Sequence, residues 1–145
     1  MTAKYDRDGV TFLYPENWSL EEHPLQGLPR TVSVTSPVGA YWSATVYGDD
    51  EPLERLQEQY VETFRQEYDD VELDLTKIGV GTETLSVLDI QFHCLDFLVH
   101  SRLIARRVGK HHVLIAWQAE DRDFDELEPV FTAITFTAIQ DPAAT

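Results

Sequence analysis

The stretch LVHSRLIARRVGKHHVLIAWQA, residues 98–119, decides the fold of this chain. Two runs rich in β-branched, leucine and aromatic residues flank Gly109 and Lys110, a pair that favours a two-residue hairpin turn. We predict that the two runs form antiparallel strands that meet at this turn. Because residues 113–117 are apolar at every position, the second strand should be covered on both faces of its sheet.

Further strands are predicted on the N-terminal side of this hairpin. Residues 85–95 should form a third strand of the same meander, with a two-residue turn at Asp96 and Phe97. Short runs of alternating polarity, bounded by proline, glycine and asparagine, predict five more strands. These are residues 10–14, 18–22, 31–36, 40–47 and 71–80.

Two amphipathic helices are predicted from apolar residues spaced three and four positions apart. The first begins near Pro52 and carries its apolar stripe on Leu53, Leu56, Tyr60 and Phe64. The second follows residues 121–123, whose aspartates are suited to cap a helix. Its apolar face consists of Phe124, Leu127, Phe131 and Ile134.

Together these elements predict an α+β fold. A chain of 145 residues has the size of one domain, which we expect to span residues 1–145 with a frayed tail from about 140 to 145. The two helices should cover opposite faces of a central, mainly antiparallel sheet of six to seven strands. This arrangement is a layered α/β/α sandwich.

Composition excludes several classes of function. Eleven Lys and Arg residues against 26 Asp and Glu residues give a formal net charge of -15. Such a chain repels nucleic acid and anionic membranes, so we expect neither as a partner. The single cysteine, Cys94, allows no intrachain disulfide. The first residues lack the apolar core of a signal peptide, and we expect a cytoplasmic protein unless an export signal was removed.

Basic residues cluster at the tip of the predicted hairpin. Between Asp96 and Glu120 the chain has no acidic residue. Alternation along the strands places Arg102 and Arg106 on one face of the hairpin and Arg107 on the other. The candidate binding residues are Arg102, Arg106, Arg107, Lys110, His111, His112 and Trp117. They would contact an anion or an acidic partner through two-point arginine hydrogen bonds; alternatively, they neutralise a neighbouring acidic surface, or Arg102 stacks on Trp117.

No metal, cofactor or catalytic site is predicted. A turn at Asp96 and Phe97 would set His93 opposite His100, but the neighbouring Cys94 would point to the other face of the sheet. The sequence contains no nucleophile elbow, no HExxH helix and no serine with an identifiable base.

The opening VTFLYPENW, residues 10–18, resembles the aromatic strand, proline and tryptophan that begin proteins of the PsbP-like fold. The order of elements is also similar over about residues 5–139: paired strands, a helix, a three-strand meander and a terminal helix. The resemblance implies a PsbP-like sandwich. Because proteins of that group are mostly binding or assembly modules, it also implies a role without catalysis.

Our leading functional hypothesis is therefore a non-enzymatic binding or assembly module that recognises a protein partner. A basic partner would dock on an acidic helix face formed by Glu54, Glu58 and Glu62, and an acidic partner on the basic hairpin tip. Two alternatives stay open. One is a small anionic-ligand-binding protein or enzyme with a pocket near Arg102 and Trp117, and the other is a self-associating subunit such as a homodimer.

Overall fold

The computed structural model describes residues 1–7, 9–24, 27–48 and 50–140, so most of the predicted tail lies outside the described residues. The strands in these residues are β1 (Thr2–Arg7), β2 (Val10–Pro15), β3 (Ser19–His23), β4 (Arg30–Thr35), β5 (Tyr41–Tyr47), β6 (Glu72–Val80), β7 (Glu83–Cys94), β8 (Phe97–Val108) and β9 (His111–Glu120). The helices are α1 (Leu53–Glu67) and α2 (Asp121–Ile139).

The strands confirm the predicted antiparallel sheet. Seven of the described strands form one sheet in the order β3-β4-β5-β9-β8-β7-β6, and every neighbouring pair is antiparallel. β1 and β2 form a separate two-stranded sheet. The sequence did not predict β1, whose one buried side chain, Tyr5, stacks on Phe12 of β2 with the ring centroids 5.1 Å apart.

The two helices cover opposite faces of the seven-stranded sheet, which confirms the α/β/α sandwich. Along β9, Leu114 points towards α1 and its near neighbour Trp117 points towards α2. The second face is also covered by the β1–β2 sheet, where Phe12 lies 4.7 Å from Trp42 between ring centroids. The buried residues on the α1 face are Leu56, Val61, Leu88, Ile90, Phe92, Leu103, Leu114 and Ala116.

Both helices lie where the apolar spacing predicted them. α1 starts directly after Pro52. The N-cap of α2 is Glu120, which makes no side-chain capping hydrogen bond, so the capping role predicted for residues 121–123 is wrong. Within the described residues, neither helix combines the length and the apolar character that crossing a bilayer requires.

One turn of the meander differs from the prediction by one residue. Leu95 and Asp96 connect β7 to β8, because Cys94 pairs with Phe97. The sequence placed this turn at Asp96 and Phe97. Leucine is disfavoured at the first position of such a turn, where glycine is usual. The residue preferences therefore favour a turn one residue later in the chain, at Asp96 and Phe97.

Candidate functional site

The basic hairpin tip has the predicted register, with Arg107 opposite His112, but its residues do not form one surface. Arg102 and Arg106 extend from the α2 side of the sheet. Arg107 and His112 extend from the α1 side, where His112 Nδ1 lies 2.6 Å from the carbonyl oxygen of Glu51. The sheet therefore separates the predicted cluster into two groups.

Arg102 is held by acidic side chains of the same chain. Its Nε donates to Asp89 Oδ1 at 2.6 Å, and its Nη1 donates to Glu128 Oε1 of α2 at 2.8 Å. Its guanidinium carbon lies 5.2 Å from the centre of the Phe124 ring. Stacking on Trp117 was therefore the wrong prediction, since the aromatic partner is Phe124. These charge-assisted hydrogen bonds attach α2 to the sheet.

Trp117 lies in the core beneath α2 and has no exposed surface. Its ring faces Phe131 of α2, with the centroids 6.3 Å apart. A side chain without exposed surface lines no open pocket. The ligand pocket that the sequence placed near Arg102 and Trp117 therefore has no support from this geometry.

Arg106 and Arg107, at the tip, also contact their own chain. Arg106 donates to the Glu83 carboxylate at 3.2 to 3.4 Å. Arg107 donates to a backbone carbonyl of its own turn at 3.2 Å. His111 is half-buried, and Lys110 is exposed. For Arg102 and Arg106, this geometry favours the interpretation that the cations neutralise acidic groups of the chain itself over a preformed site for an acidic partner.

The histidines of β7 and β8 do not meet. His93 pairs with Leu98 rather than with His100, because the turn lies one residue earlier than predicted. His93 hydrogen-bonds to Asp70 in the segment after α1, and this bond lowers the pKa of the Asp70 carboxyl. His100 Nε2 lies 3.0 Å from Asp89 Oδ1. Among the described residues, no three His, Cys, Asp or Glu side chains are grouped to hold a metal ion.

A groove of about 250 Å³ opens where the β4–β5 turn, the β7–β8 turn and the start of α2 meet. Val38, Leu95 and Phe97 line it with 64%, 88% and 53% of their surface exposed, respectively. The carboxylates of Glu120 and Asp123 also line it. We call this site the turn-end groove. Single exposed apolar side chains are ordinary, but three that converge from two separate turns on one concavity are typical of an interaction site.

Leu95 has the backbone conformation of a glycine. The three turns of the β6–β9 meander each contain two residues, and φ at the first is 61° at Gly81, 58° at Leu95 and 60° at Gly109. A residue with a β-carbon pays roughly 1–2 kcal/mol in this region. Leu95 recovers little of that cost by burial because most of its side chain is in solvent. A contact with another molecule would account for leucine at this position.

The sequence contained one signal for this site that the prediction did not use. Residues 94–97, CLDF, must contain the β7–β8 turn but include none of the glycine or asparagine residues that usually form it. Either register therefore places an apolar side chain at the tip. The groove itself was not predictable, because it forms only when the β4–β5 turn and α2 are brought beside that tip.

A second groove, of about 360 Å³, runs between α1 and the edge strand β6. We call it the α1–β6 groove. Glu58 and Glu62, two of the three residues predicted to dock a basic partner, lie one helical turn apart in its lining, whereas Glu54 is not part of it. Its apolar lining is formed by Val61, Leu73, Leu75 and Leu88.

Sequence comparison finds no match to any protein-family model or to any curated protein. Structural comparison does find similar proteins. The solution structure of cyanobacterial PsbP (CyanoP) from Synechocystis sp. PCC 6803 covers 94% of this chain and 90% of its own, with 12% identity and a TM-score of 0.62. The crystal structure of PA94 from Pseudomonas aeruginosa, described as a protein of unknown function and putative regulator, covers 97% and 98%, with 15% identity and a TM-score of 0.54.

At these identities the likeness establishes the fold alone. The protein has the PsbP-like fold, as the opening residues 10–18 and the order of elements indicated.

Proposed function

We propose that this protein is a binding module that recognises a protein partner through the turn-end groove. The observation that carries the proposal is Leu95, an exposed leucine held at a backbone position where the two equivalent turns have glycine. Val38 and Phe97 extend the same apolar surface. Burial of each such side chain in an interface contributes on the order of 1.5–3 kcal/mol, which offsets part of the lost translational and rotational freedom on association.

The groove fits an apolar side chain that is flanked by lysine or arginine. Its volume, about 250 Å³, suits one large aliphatic or aromatic anchor of the kind found at interface centres. At its border, Arg122 pairs with Glu120 at 3.1 Å and with Asp123 at 3.5 Å. Asp96 and Asp121 are exposed and follow the lining residues Leu95 and Glu120 in the chain, and the whole chain carries -15. This field favours a cationic partner.

The exposed apolar rim suits a binding role. Val38, Leu95 and Phe97 are apolar, and Cys94, Glu120 and Asp123 supply the ionisable groups of the lining. The contribution of the three apolar side chains is surface that is removed from water on association, which requires a complementary partner rather than a reacting substrate.

Site-directed cross-linking tests the proposal. A photoreactive benzoylphenylalanine in place of Phe97 should cross-link one partner in a lysate of the source cells at low salt, and Leu95→Gly should abolish that product. Leu13→Thr, which removes an exposed leucine from β2, is the matched control and should leave the product unchanged. The same photoreactive group in place of Phe136, an exposed aromatic on α2, should yield no such product.

The opposite results are equally clear. Cross-linking that persists after Leu95→Gly, or that occurs equally from position 136, would show that the turn-end groove is not the binding surface. A product that consists of two copies of this chain would replace the proposal with the self-associating subunit considered from the sequence.

A further inference from the structure

We propose that the α1–β6 groove binds an extended, basic segment of a polypeptide, which adds to the sheet as a strand alongside β6. This inference goes beyond the turn-end groove, because it concerns a different surface and a different mode of recognition. It follows from three features of β6 and α1: an uncovered strand edge, an exposed apolar lining and two neighbouring carboxylates.

β6 is the strand edge that is open to pairing. It ends the seven-stranded sheet, so in the described part of the chain its outer backbone groups face no further strand. At Glu72–Val80 it has nine residues, whereas β3, at the opposite edge, has five. A long edge strand presents a row of N–H and C=O groups that an extended peptide can pair with.

The side of β6 that faces α1 is apolar and partly in solvent. Leu73 and Leu75 point to this side, and Leu75 is 72% exposed. Val61 of α1 and Leu88 of β7 are both buried and complete the wall of the groove. An added strand places every second side chain on the α1 side of the sheet. Those side chains would enter the groove of about 360 Å³ and cover Leu75.

The charge at the groove specifies a basic segment. Glu58 and Glu62 lie one turn apart on α1, and neither carboxylate is in an ion pair with another described residue. Arg65 is the one basic side chain in the described lining. Lysine or arginine at the positions of the added strand that face α1 would reach these carboxylates. A second copy of the chain fits less well, since it also carries -15 and its own β6 brings Glu72 and Asp74 against one lysine, Lys77.

The probe is a blocked peptide that carries its lysines and leucines on one face, with threonine at every second position, Ac-LTKTKTL-NH2. It is titrated into the isotope-labelled full chain and followed by NMR. We expect saturable shifts of the β6 and α1 amides and weaker binding as salt increases. The glutamate counterpart, Ac-LTETETL-NH2, should not bind. N-methylation of every second residue removes the N–H donors from one edge of the peptide. Of the two peptides methylated at odd or at even positions, one should bind about tenfold more weakly than the parent.

Two variants of the same net charge localise the effect. Leu75→Lys adds one positive charge on the α1 side of β6 and should weaken binding by about tenfold. Asp74→Asn raises the net charge by the same amount on the opposite side of the strand and should leave binding within about twofold. Both positions are exposed, and the amide spectrum reports whether each variant keeps the wild-type fold.

Several results would overturn the inference. If both N-methylated peptides bind as tightly as the parent peptide, the peptide does not add as a strand. If the two variants weaken binding equally, the attraction is non-specific charge. A wild-type dimer that Leu75→Lys dissociates would assign the edge to a second copy of the chain. None of these outcomes affects the Leu95 test, so the two proposals can fail separately.

Discussion

Leu95 and Gly109 occupy equivalent positions in neighbouring hairpins. Their comparison shows, for a single residue, that the chain carries a side chain that lowers the stability of its own fold. Both begin a two-residue turn, with φ of 58° and 60°. Glycine adopts this conformation without strain, whereas a β-carbon crowds the backbone. Leu95 therefore costs stability where Gly109 does not, and the cost is offset only if its side chain is buried by a partner.

Leu95→Gly should raise the free energy of unfolding by about 1 kcal/mol, because it relieves backbone strain and removes little buried surface. Urea unfolding followed by tryptophan fluorescence measures the change. A variant that is no more stable than the wild type would contradict the strain argument and weaken the case for a functional leucine.

Gly109→Leu is the reciprocal variant and should lower the free energy of unfolding by about 1 kcal/mol. A β-carbon at Gly109 meets no atom within 4 Å, so the loss reports backbone strain alone. Gly81 is unsuitable for this comparison, because a β-carbon there would lie 2.3 Å from the Phe136 ring.

At the scale of the elements, α2 is joined to the sheet by a buried hydrogen bond as well as by apolar packing. Thr135 has no exposed surface. Its Oγ1 accepts a hydrogen bond from Trp42 Nε1 of β5 at 2.9 Å and donates one to the Phe131 carbonyl at 2.8 Å. The hydroxyl thus satisfies the indole N–H in the middle of the core and sets the position of the helix along β5.

Thr135→Val should lower the free energy of unfolding by about 1–3 kcal/mol, because it keeps the shape of the side chain and leaves the Trp42 N–H buried without an acceptor. Thermal and urea unfolding measure the loss. Thr132→Val is the control, since the Thr132 hydroxyl donates only to the Pro129 carbonyl on the outside of the same helix. Equal losses for the two variants would show that the Trp42 hydrogen bond contributes nothing.

At the scale of the whole molecule, the 26 acidic residues of this 145-residue chain repel one another in the folded state more than in the expanded one. Sodium chloride between about 0.02 M and about 0.5 M should therefore raise the melting temperature by a few degrees, as the screening length falls below the spacing between charges. Near pH 4.5, the isoelectric point, the same salt series should change little. Stability that falls with salt at neutral pH would show that the ion pairs, such as Arg102 with Asp89, outweigh the repulsion.

Much of the architecture was predictable because it depends on local patterns. The continuous apolar run of residues 113–117 and the glycine at position 109 specify β9 and its hairpin with β8, in the predicted register. The three- and four-residue spacing of apolar side chains specifies both helices. β1 was not predictable, since its own pattern is weak and it forms by pairing with β2.

The candidate sites were less predictable than the fold. The two arginines Arg102 and Arg106 look alike in the sequence, yet one is held by Asp89 and Glu128 beneath α2 while the other has a more exposed pair with Glu83. The basic tip therefore looked like a binding site in the sequence, whereas the structure pairs two of its arginines, Arg102 and Arg106, with carboxylates of the same chain.

By itself, the sequence determined an acidic α+β sandwich, because composition, periodicity and turn residues act over a few neighbouring positions. Only the tertiary structure decided which charges are paired and where apolar side chains meet in grooves. Those properties depend on contacts between elements that are far apart in the chain, such as the β4–β5 turn, the β7–β8 turn and the start of α2. No short stretch of sequence specifies how these three segments pack together.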